Sequence, residues 1–195
     1  MTKKETPKPP PPSRTRDSDA TRQAILQAAQ QVFMAKGFDA AGVREIATQA
    51  GANVALINRY FGSKEQLFFA AISDQDHLAP LLAEGKDGFG LRLASYMANK
   101  HLSDGDLDPT QVFVRSIGSV TVGPALSEAT QTQHIASLAD WLGGENAEER
   151  AAMIMAELLG FDMLRRIAGI DAFNRPDNQA LITYFARAVQ SHVDG

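Results

Sequence analysis

The sequence contains no cysteine among its 195 residues, and this absence excludes several kinds of protein at once. Without thiols the chain forms no disulfide, holds no zinc or iron–sulfur cluster through sulfur, and carries no cysteine nucleophile. Aromatic residues make up only 7% of the chain, whereas 44% of its residues are hydrophobic and 22% are charged. These fractions are typical of an ordinary globular protein, and the length suffices to bury a sizeable core.

Long uninterrupted apolar runs are also absent. The longest apolar stretch, 151–164, is broken by Glu157 and Asp162, so it does not predict a membrane span. The N-terminal residues do not pair a basic start with an apolar run, and this argues against a secretory signal. We therefore expect a cytoplasmic protein without a membrane partner.

Charge is unevenly distributed along the chain, although its net value is only −4. Residues 1–70 hold 10 lysines and arginines against 6 acidic residues, which gives a net charge of +4. Residues 71–195 hold 9 against 17, which gives −8. A basic N-terminal segment followed by an acidic one indicates that residues 1–70 bind an anionic partner and residues 71–195 do not.

The first residues are rich in proline and poor in large apolar side chains. Residues 1–16 include five prolines, and after Met1 none of them is a large apolar residue. Such a segment buries no core, so we predict that residues 1–17 form a disordered, basic tail. Arg14 and Arg16 in this arm are candidates for contacts with a nucleic-acid backbone or minor groove.

The rest of the chain shows the apolar period of helices and no sustained alternation typical of strands. Ile25, Ala28, Ala29 and Val32 repeat at helical spacing, and Gly37 predicts the end of that helix. We predict an all-α protein of about nine helices, and we expect a loop at Gly85, Gly88 and Gly90. The predicted helices are 18–36, 43–50, 53–61, 63 to about 80, 89–102, 109–121, 124–142, 146–168 and 177–193.

The segment from Val43 to Tyr60 predicts two short helices joined by a tight turn. Ala47 lies four residues before Gly51, and Ile57 lies six residues after it. A helix-turn-helix needs a small residue where its helices cross and a residue in the turn that tolerates a left-handed backbone, and alanine and glycine meet these needs.

The stretch from Thr21 to Ala71 resembles the DNA-binding domain of the TetR family of transcriptional repressors. Two positions depart from that pattern, with Gly42 where Thr or Ser often caps the helix and Asn58 where Tyr often stands. The residues that carry the resemblance are Thr21, Arg22, Ile25, Leu26, Ala28, Ala29, Phe33, Lys36, Gly37, Phe38, Val43, Arg44, Ile46, Ala47, Ala50, Gly51, Ile57, Arg59, Tyr60, Phe61, Ser63, Lys64, Glu65 and Leu67.

The resemblance implies a helix-turn-helix head over 18–64 and a helical ligand-binding and dimerisation body over 65–195. On the third helix, helical spacing turns Ile57 inward and Asn58 and Arg59 outward. Arginine pairs with guanine and asparagine with adenine in the major groove, whereas contacts to phosphates position the protein. The candidate DNA-binding residues are Arg44, Thr48, Asn53, Val54, Ala55, Asn58, Arg59, Tyr60 and Lys64.

The acidic body offers a candidate dimer interface and a candidate ligand site. Small residues recur at every fourth position of the helix predicted at 146–168, which permits close helix approach. The resemblance implies that this helix and the last one pair with a second copy of the chain. The candidate dimer residues are Ala152, Ala156, Leu159, Gly160 and Met163. A pocket of methionine and aromatic side chains is expected among the middle helices, lined by Phe89, Leu93, Met97, Phe113, Ile117, Trp141 and Phe161.

The predicted partners are double-stranded operator DNA, a second copy of the chain and an unknown small-molecule ligand, with no cofactor and no metal. The predicted function is a sequence-specific transcriptional repressor that a ligand releases from its operator. Two alternatives stay open: an all-helical enzyme or an adaptor acting on a small apolar ligand. Two groups of possible metal ligands are weak patterns. The first is Asp74, Asp76 and His77, and the second is Asp104, Asp106 and Asp108. The second lacks the glycine and the glutamate of a calcium loop.

Overall fold

The computed structural model describes residues 14–72, 78–100, 107–175 and 178–195, with side chains from residue 18 onward. These residues form helices and connecting turns without a strand, which confirms the all-α prediction. No helix in these ranges is long and apolar enough to cross a lipid bilayer.

The helices follow one another through short turns. Two π-helical turns, Thr130–Ile135 and Met163–Ile167, join α8 to α9 and extend α10. The segments are α1 (Arg14–Ala40), α2 (Val43–Gln49), α3 (Val54–Phe61), α4 (Lys64–Ile72), α5 (Ala79–Ala83), α6 (Phe89–Asn99), α7 (Pro109–Ser116), α8 (Gly123–Ala129), α9 (Ala136–Leu142), α10 (Ala147–Asp162), α11 (Asp171–Asn174) and α12 (Gln179–Asp194).

Several boundaries differ from those predicted. α1 begins at Arg14, inside the segment predicted as tail, and residues 1–13 lie outside the described ranges. Gly37 interrupts α1 with a backbone φ of 72°, which agrees with the predicted stop. The short helices α5 and α11 were not predicted, because five and four residues are too few to display a helical period.

The first hydrophobic core holds the head together and includes residues from far along the chain. It is built from α1 to α4, with Phe33, Phe38 and Phe68 packed ring against ring at 5.0–6.2 Å between centroids. Val112 of α7 and Leu126 of α8 are buried in the same cluster. The head therefore rests on two helices of the predicted body.

The joint between α1 and α7 depends on a glycine. At Gly37 a Cβ would lie 2.5 Å from the carbonyl oxygen of Arg115, and the positive φ would strain any other residue. The next backbone N–H, that of Phe38, donates to Ser116 Oγ at 3.1 Å. Ser119 Oγ donates to Asp39 Oδ1 at 2.8 Å. Glycine thus permits a close hydrogen-bonded joint between the head and α7.

The second core lies in the body and is centred on α6, α10 and α12. Gly90, predicted to lie in a loop, instead stands in the first turn of α6 against α12. A Cβ at Gly90 would overlap the carbonyl oxygen of Ala186. The two helices can approach this closely because glycine has no Cβ. The buried members are Phe89, Leu93, Ala94, Met97, Leu138, Leu142, Ala151, Ile154, Phe161, Phe185, Ala186, Val189 and Val193.

Candidate nucleic-acid interface

The helix-turn-helix is formed by α2, α3 and the turn between them. The N–H of Ala52 donates to the carbonyl of Ala47 at 2.9 Å, and Gly51 adopts a φ of +62°. Asn53 is the N-cap of α3, and its side-chain oxygen accepts the N–H of Ala55 at 2.9 Å. An Asn cap of this kind satisfies one of the free donors at the start of the helix. These bonds fix the first turn of α3 relative to α2.

The faces of α3 divide as helical spacing predicted. Ile57 and Phe61 are buried in the first core, whereas Ala55, Asn58 and Arg59 are exposed. Exposure leaves the amide of Asn58 and the guanidinium of Arg59 accessible for hydrogen bonds to base edges. Val54, at the flank, is half-buried against the first core. The structure thus brings Asn53, Ala55, Asn58 and Arg59 to the exposed surface of one short helix.

Tyr60 fastens α3 to the beginning of α1. Its ring is half-buried beside that of Phe61, and its hydroxyl lies 3.2 Å from Ser18 Oγ. A phenol can donate and accept at once, so this bond leaves the hydroxyl able to meet a phosphate. Arg22 of α1 stacks over the Phe61 ring at 5.1 Å. The pairing with Ser18 was not predicted, because its partners stand 42 residues apart.

The α2 helix presents Arg44 and Thr48 to solvent. The Thr48 hydroxyl donates to the carbonyl of Arg44 at 2.9 Å, so only its acceptor side is free for another partner. Between them Glu45 pairs with Lys36 of α1 at 2.7 and 2.8 Å. Gly42 precedes the helix in an extended conformation and supplies no side-chain cap, as expected of glycine. Arg44 and Thr48 remain accessible for the predicted phosphate contacts.

Lys64, at the start of α4, lies against the end of α1. Its Nζ stands 4.3 Å from the Phe38 ring centroid and 3.5 Å from the Asp39 carbonyl oxygen. Before it, Ser63 Oγ accepts the N–H of Gln66 at 3.2 Å, which is one half of the predicted capping box. Hydrogen bonds from the Ser63 hydroxyl and from its own N–H lower the pKa of Glu65, with a smaller effect from the Lys64 charge.

The predicted ligand-lining residues do not surround one cavity. Phe89, Leu93, Met97 and Phe161 are buried in the second core, and Trp141 packs on Phe89 at 4.9 Å between ring centroids. Two others, Phe113 and Ile117, pack against the first core instead. The sequence predicted one pocket for all seven, and it did not indicate that they divide between two cores.

A surface concavity of about 770 Å³ lies between the start of α10 and the end of α12, and none of the seven predicted residues lines it. Its lining includes Lys86 and Arg150. The guanidinium of Arg150 donates to the carbonyls of His192 and Val193 at 3.1 and 3.3 Å, and also to that of Gly143. Arg150 therefore serves to bind the last turn of α12 to the loop before α10.

The predicted dimer residues share one outward face of α10 and the π-helical turn that follows it. Ala156 and Met163 are exposed, and Met153 beside them is 49% exposed. A Cβ on Gly160 would meet nothing within 4 Å, so open space lies over it. Ala152 and Leu159 complete the face and are half-buried. On α12, Tyr184 is 68% exposed.

A buried cluster of charged groups joins α6, α7 and α10, and the sequence did not reveal it. Asp162 is fully buried and accepts the Thr110 hydroxyl at 2.7 Å. Arg166 contacts Asp162 with Nε at 3.0 Å and pairs with Asp108 through Nη2. Burial raises the pKa of the nearby Tyr96, the Asp162 charge adds to that rise, and Arg166 opposes it.

Neither faint metal pattern can be compared with the structure in full, because 74, 76, 77, 104 and 106 fall outside the described residues. Asp108, the last of the second pattern, is the N-cap of α7 and accepts the N–H of Gln111 at 3.2 Å. Within the described ranges no group of three or more histidine and acidic side chains could hold a metal ion.

Two family descriptions match the chain, one for each part of the fold. Residues 25–71, which contain α2 and α3, match "Bacterial regulatory proteins, tetR family". Residues 87–193 match "Tetracyclin repressor-like, C-terminal domain", and this stretch alone exceeds half of the chain. The chain belongs to the TetR family.

Curated relatives of this TetR-family protein match about a third of its chain. The repressor NicS of Pseudomonas putida is 42% identical over 59 residues, which are 30% of this chain and 28% of NicS. The activator FasR of Mycolicibacterium smegmatis is 37% identical over 65 residues, or 33% of this chain and 29% of FasR. The alignments thus span less than a third of either relative. Repressors and an activator occur among the similar proteins.

Solved structures extend the similarity over the whole chain. A TetR-family regulator from Streptomyces coelicolor A3 is 28% identical with a TM-score of 0.56, over 94% of this chain and all of that one. NalD of Pseudomonas aeruginosa is 19% identical with a TM-score of 0.63, over 88% of this chain and 98% of that one. At that identity the likeness to NalD concerns the fold alone.

Proposed function

We propose that this TetR-family protein is a sequence-specific DNA-binding repressor, and that it binds operator DNA as a homodimer. The observation that carries the proposal is the exposed side of α3, where Asn58 and Arg59 project from a helix whose opposite side is buried. Arg59 can make two hydrogen bonds to O6 and N7 of guanine, and Asn58 can pair with N6 and N7 of adenine. Ala55 is small enough to contact a thymine methyl.

Phosphate contacts would position this reading helix in the major groove. Arg44 and Thr48 of α2 and Tyr60 of α3 are exposed or half-buried polar groups around it, and Lys64 stands at the start of the next helix. Such contacts contribute affinity without sequence preference. Arg14 and Arg16, which the structure places in the first turn of α1, would add to them.

The outward face of α10 supports a homodimer. Its exposed residues are apolar or small, and on a soluble monomer a long face of this kind would stay in contact with water. Pairing with the same face of a second copy would bury it. The proposed contacts are Ala152, Ala156, Leu159, Gly160 and Met163, with α12 beside them. The proposed division is a head over 18–64 and a body over 65–195, with the helix α1 beginning ahead of the head at Arg14.

A small-molecule ligand would release the repressor by favouring a state of the dimer with altered head separation. The proposed lining consists of side chains of the second core. They are Phe89, Leu93, Met97 and Phe161, which are buried in that core, and Trp141, which packs against it. Phe113 and Ile117 belong to the proposed site only if the ligand reaches the head joint. NicS is described as a repressor, and this supports repression here.

Membership in a family of regulatory proteins favours a regulator over the enzyme and the adaptor considered from the sequence. An enzyme would bind a substrate without retaining specific DNA, and an adaptor would bind only proteins. Retention of a specific duplex therefore separates the three functions.

Selection of bound fragments from a pool of random double-stranded DNA tests the proposal. We expect the recovered sequences to share an inverted repeat, since a two-fold dimer presents the same helix twice. Asn58→Ala combined with Arg59→Ala serves as the matched control, because it keeps α3 folded while it removes the reading groups. Recovery of unrelated fragments by the wild-type protein would reject sequence-specific binding.

A further inference from the structure

Four charged side chains meet in the interior where α6, α7 and α10 converge. Asp162 has no exposed surface and accepts the Thr110 hydroxyl at 2.7 Å. Lys100 Nζ lies 3.5 Å from Asp162 Oδ2, and Arg166 Nε lies 3.0 Å from Asp162 Oδ1. The same guanidinium pairs with Asp108. With two cations and two carboxylates the cluster is neutral.

Asp108 contacts the head through its backbone N–H and the body through its carboxylate. Its carboxylate caps α7 by accepting the N–H of Gln111, and its own N–H donates to Met34 Sδ of α1 at 3.3 Å. The far end of α7 is bonded to α1 as well, through Ser116 and the N–H of Phe38. The α7 helix is thus attached to the head at both ends.

Arg166 belongs to the helix that carries the dimer face. It lies in the π-helical turn Met163–Ile167, directly after α10, and Met163 and Gly160 point outward from the same continuous helix. The neighbouring Arg165 donates to the carbonyl of Met97 in α6. π-Helical turns within longer helices are frequent at functional sites. The Asp108–Arg166 pair therefore joins the helix bonded to the head to the helix of the proposed dimer interface.

Stability alone gives a poor account of these buried charges. The cost of removing charges from water is large, and well-packed apolar side chains of similar size often stabilise a core as well or better. An ion pair between two helices restrains their separation, because the Coulomb attraction weakens as the two charges move apart. The cluster is therefore better suited to fixing the spacing of α7 and the helix of Arg166 than to strengthening the fold.

We propose that the Asp108–Arg166 ion pair is a latch that fixes the helix-turn-helix head relative to the dimerisation helix and so sets the spacing of the two heads. This inference rests on the proposed function, since it presumes a dimer that binds two half-sites at once. With the latch closed, both reading helices are held one groove repeat apart. With it broken, each head can still bind its half-site, but the spacing varies.

Three variants separate the latch from the general stability of the cluster. Asp108→Asn keeps an oxygen that caps α7 but removes the charge. Arg166→Gln removes the cation, and the double variant restores neutrality while leaving the two helices without an ion pair. Each single variant leaves an uncompensated buried charge and should lower the thermal midpoint. The double variant should recover much of that loss, because the two charges disappear together.

Binding is measured on two probes taken from the selected operator, the complete inverted repeat and a duplex with one half-site. We expect all three variants to bind the complete repeat about tenfold more weakly, within the range usual for coupling between sites. Affinity for the single half-site should match that of the wild type. Glu157→Gln is the matched control, because it removes the carboxylate charge from the 3.2 Å contact with His192 between α10 and α12 and leaves Asp108 and Arg166 unchanged.

The outcomes divide clearly. Weaker binding of the complete repeat with unchanged half-site binding, also in the double variant, supports the latch. Recovery of operator affinity by the double variant along with its stability would mean that the pair only stabilises the fold, and the latch would be rejected. Equal losses on both probes would reject it too. If single variants fail to fold, the neutral double variant still decides. A wild-type protein without a specific operator would instead reject the proposed function.

Discussion

Arg59 and Asn58 stand next to each other on α3 but differ in what they can read. Arg59 carries only donors, which suits the two acceptors of guanine, whereas Asn58 offers a donor and an acceptor, which suits adenine. Both are exposed, and in the part of the chain that the structure describes neither side chain takes part in the hydrogen bonds that fix α3. Their substitution should therefore alter DNA recognition with little effect on folding.

Arg59→Ala should remove discrimination at one base pair in each half-site. The loss should amount to about 1–3 kcal/mol per good bidentate contact, and other positions of the operator should keep their preference. Binding to a set of operators with single base changes, measured at constant salt, gives the result. Lys64→Ala is the comparison, because loss of a phosphate contact should weaken all sequences alike and reduce the salt dependence. Unaltered base preference in Arg59→Ala would refute the assignment.

At the scale of an element, the close contact between α6 and α12 depends on the absence of a side chain at Gly90. At Gly90 a Cβ would overlap the Ala186 carbonyl and would stand 2.9 Å from the N of Gln190. The N–H of Gly90 also donates to Gln190 Oε1 at 2.9 Å. The two helices could not keep this approach with a larger residue.

Gly90→Ala should destabilise the fold by about 1–3 kcal/mol, because the added methyl forces apart two packed backbones. Chemical denaturation followed by helix signal measures the change. Gly118→Ala is the matched control, since a Cβ there meets nothing within 4 Å and the backbone is not in the left-handed region. Gly118→Ala should be neutral or slightly stabilising. Equal stability of the two variants would show that α6 and α12 can separate at no cost.

The apolar period and the turn residues predicted those helix boundaries that depend only on residues close together in sequence. Gly37 interrupts α1, Gly51 lies in the turn after α2, and the predicted third helix begins at Asn53, which is the N-cap of α3. The buried Asp162 could not be predicted, because its partners Thr110 and Lys100 lie 52 and 62 residues away. In the same way, the sequence did not indicate that Phe113 packs against the first core rather than the second.

At the scale of the whole molecule, the proposed dimer makes two chains, joined through the α10 face, the unit that would bind an operator. Ala156 is exposed, and the space over Gly160 is open in the single chain. A partner helix could therefore approach closely along this face, as small residues allow. The proposed dimer would then fix the distance between two reading helices.

Ala156→Glu should abolish the dimer and, with it, tight operator binding. The new carboxylate would have to enter the interface without a partner, which costs far more than it does at an exposed site. Sedimentation at several concentrations measures the assembly. Ala83→Glu is the control, because Ala83 is an exposed alanine of α5 away from this face. A fully dimeric Ala156→Glu variant would move the interface elsewhere.

Operator spacing should follow the helical repeat of DNA. Two rigidly linked heads reach one face of the duplex, where major grooves recur about every 34–36 Å or 10–10.5 base pairs. Insertion of five base pairs between half-sites turns one groove to the opposite side and should abolish tight binding, and insertion of ten should restore it in part. Gel-shift titration of the three operators tests this. Indifference to the five-pair insertion would mean that the heads bind independently.

The burial of Val112 and Leu126 in the first core bears on how regulators of this architecture can be recombined. A head cut from the chain after α4 would lose part of its own interior, since Val112 of α7 and Leu126 of α8 supply it from 40 and 54 residues beyond Ile72. Grafting a foreign sensor onto this head therefore requires that α7 and the first turn of α8 travel with it. A splice point directly after α4 should give an unstable head, whereas one placed after the first turn of α8 should keep this core intact.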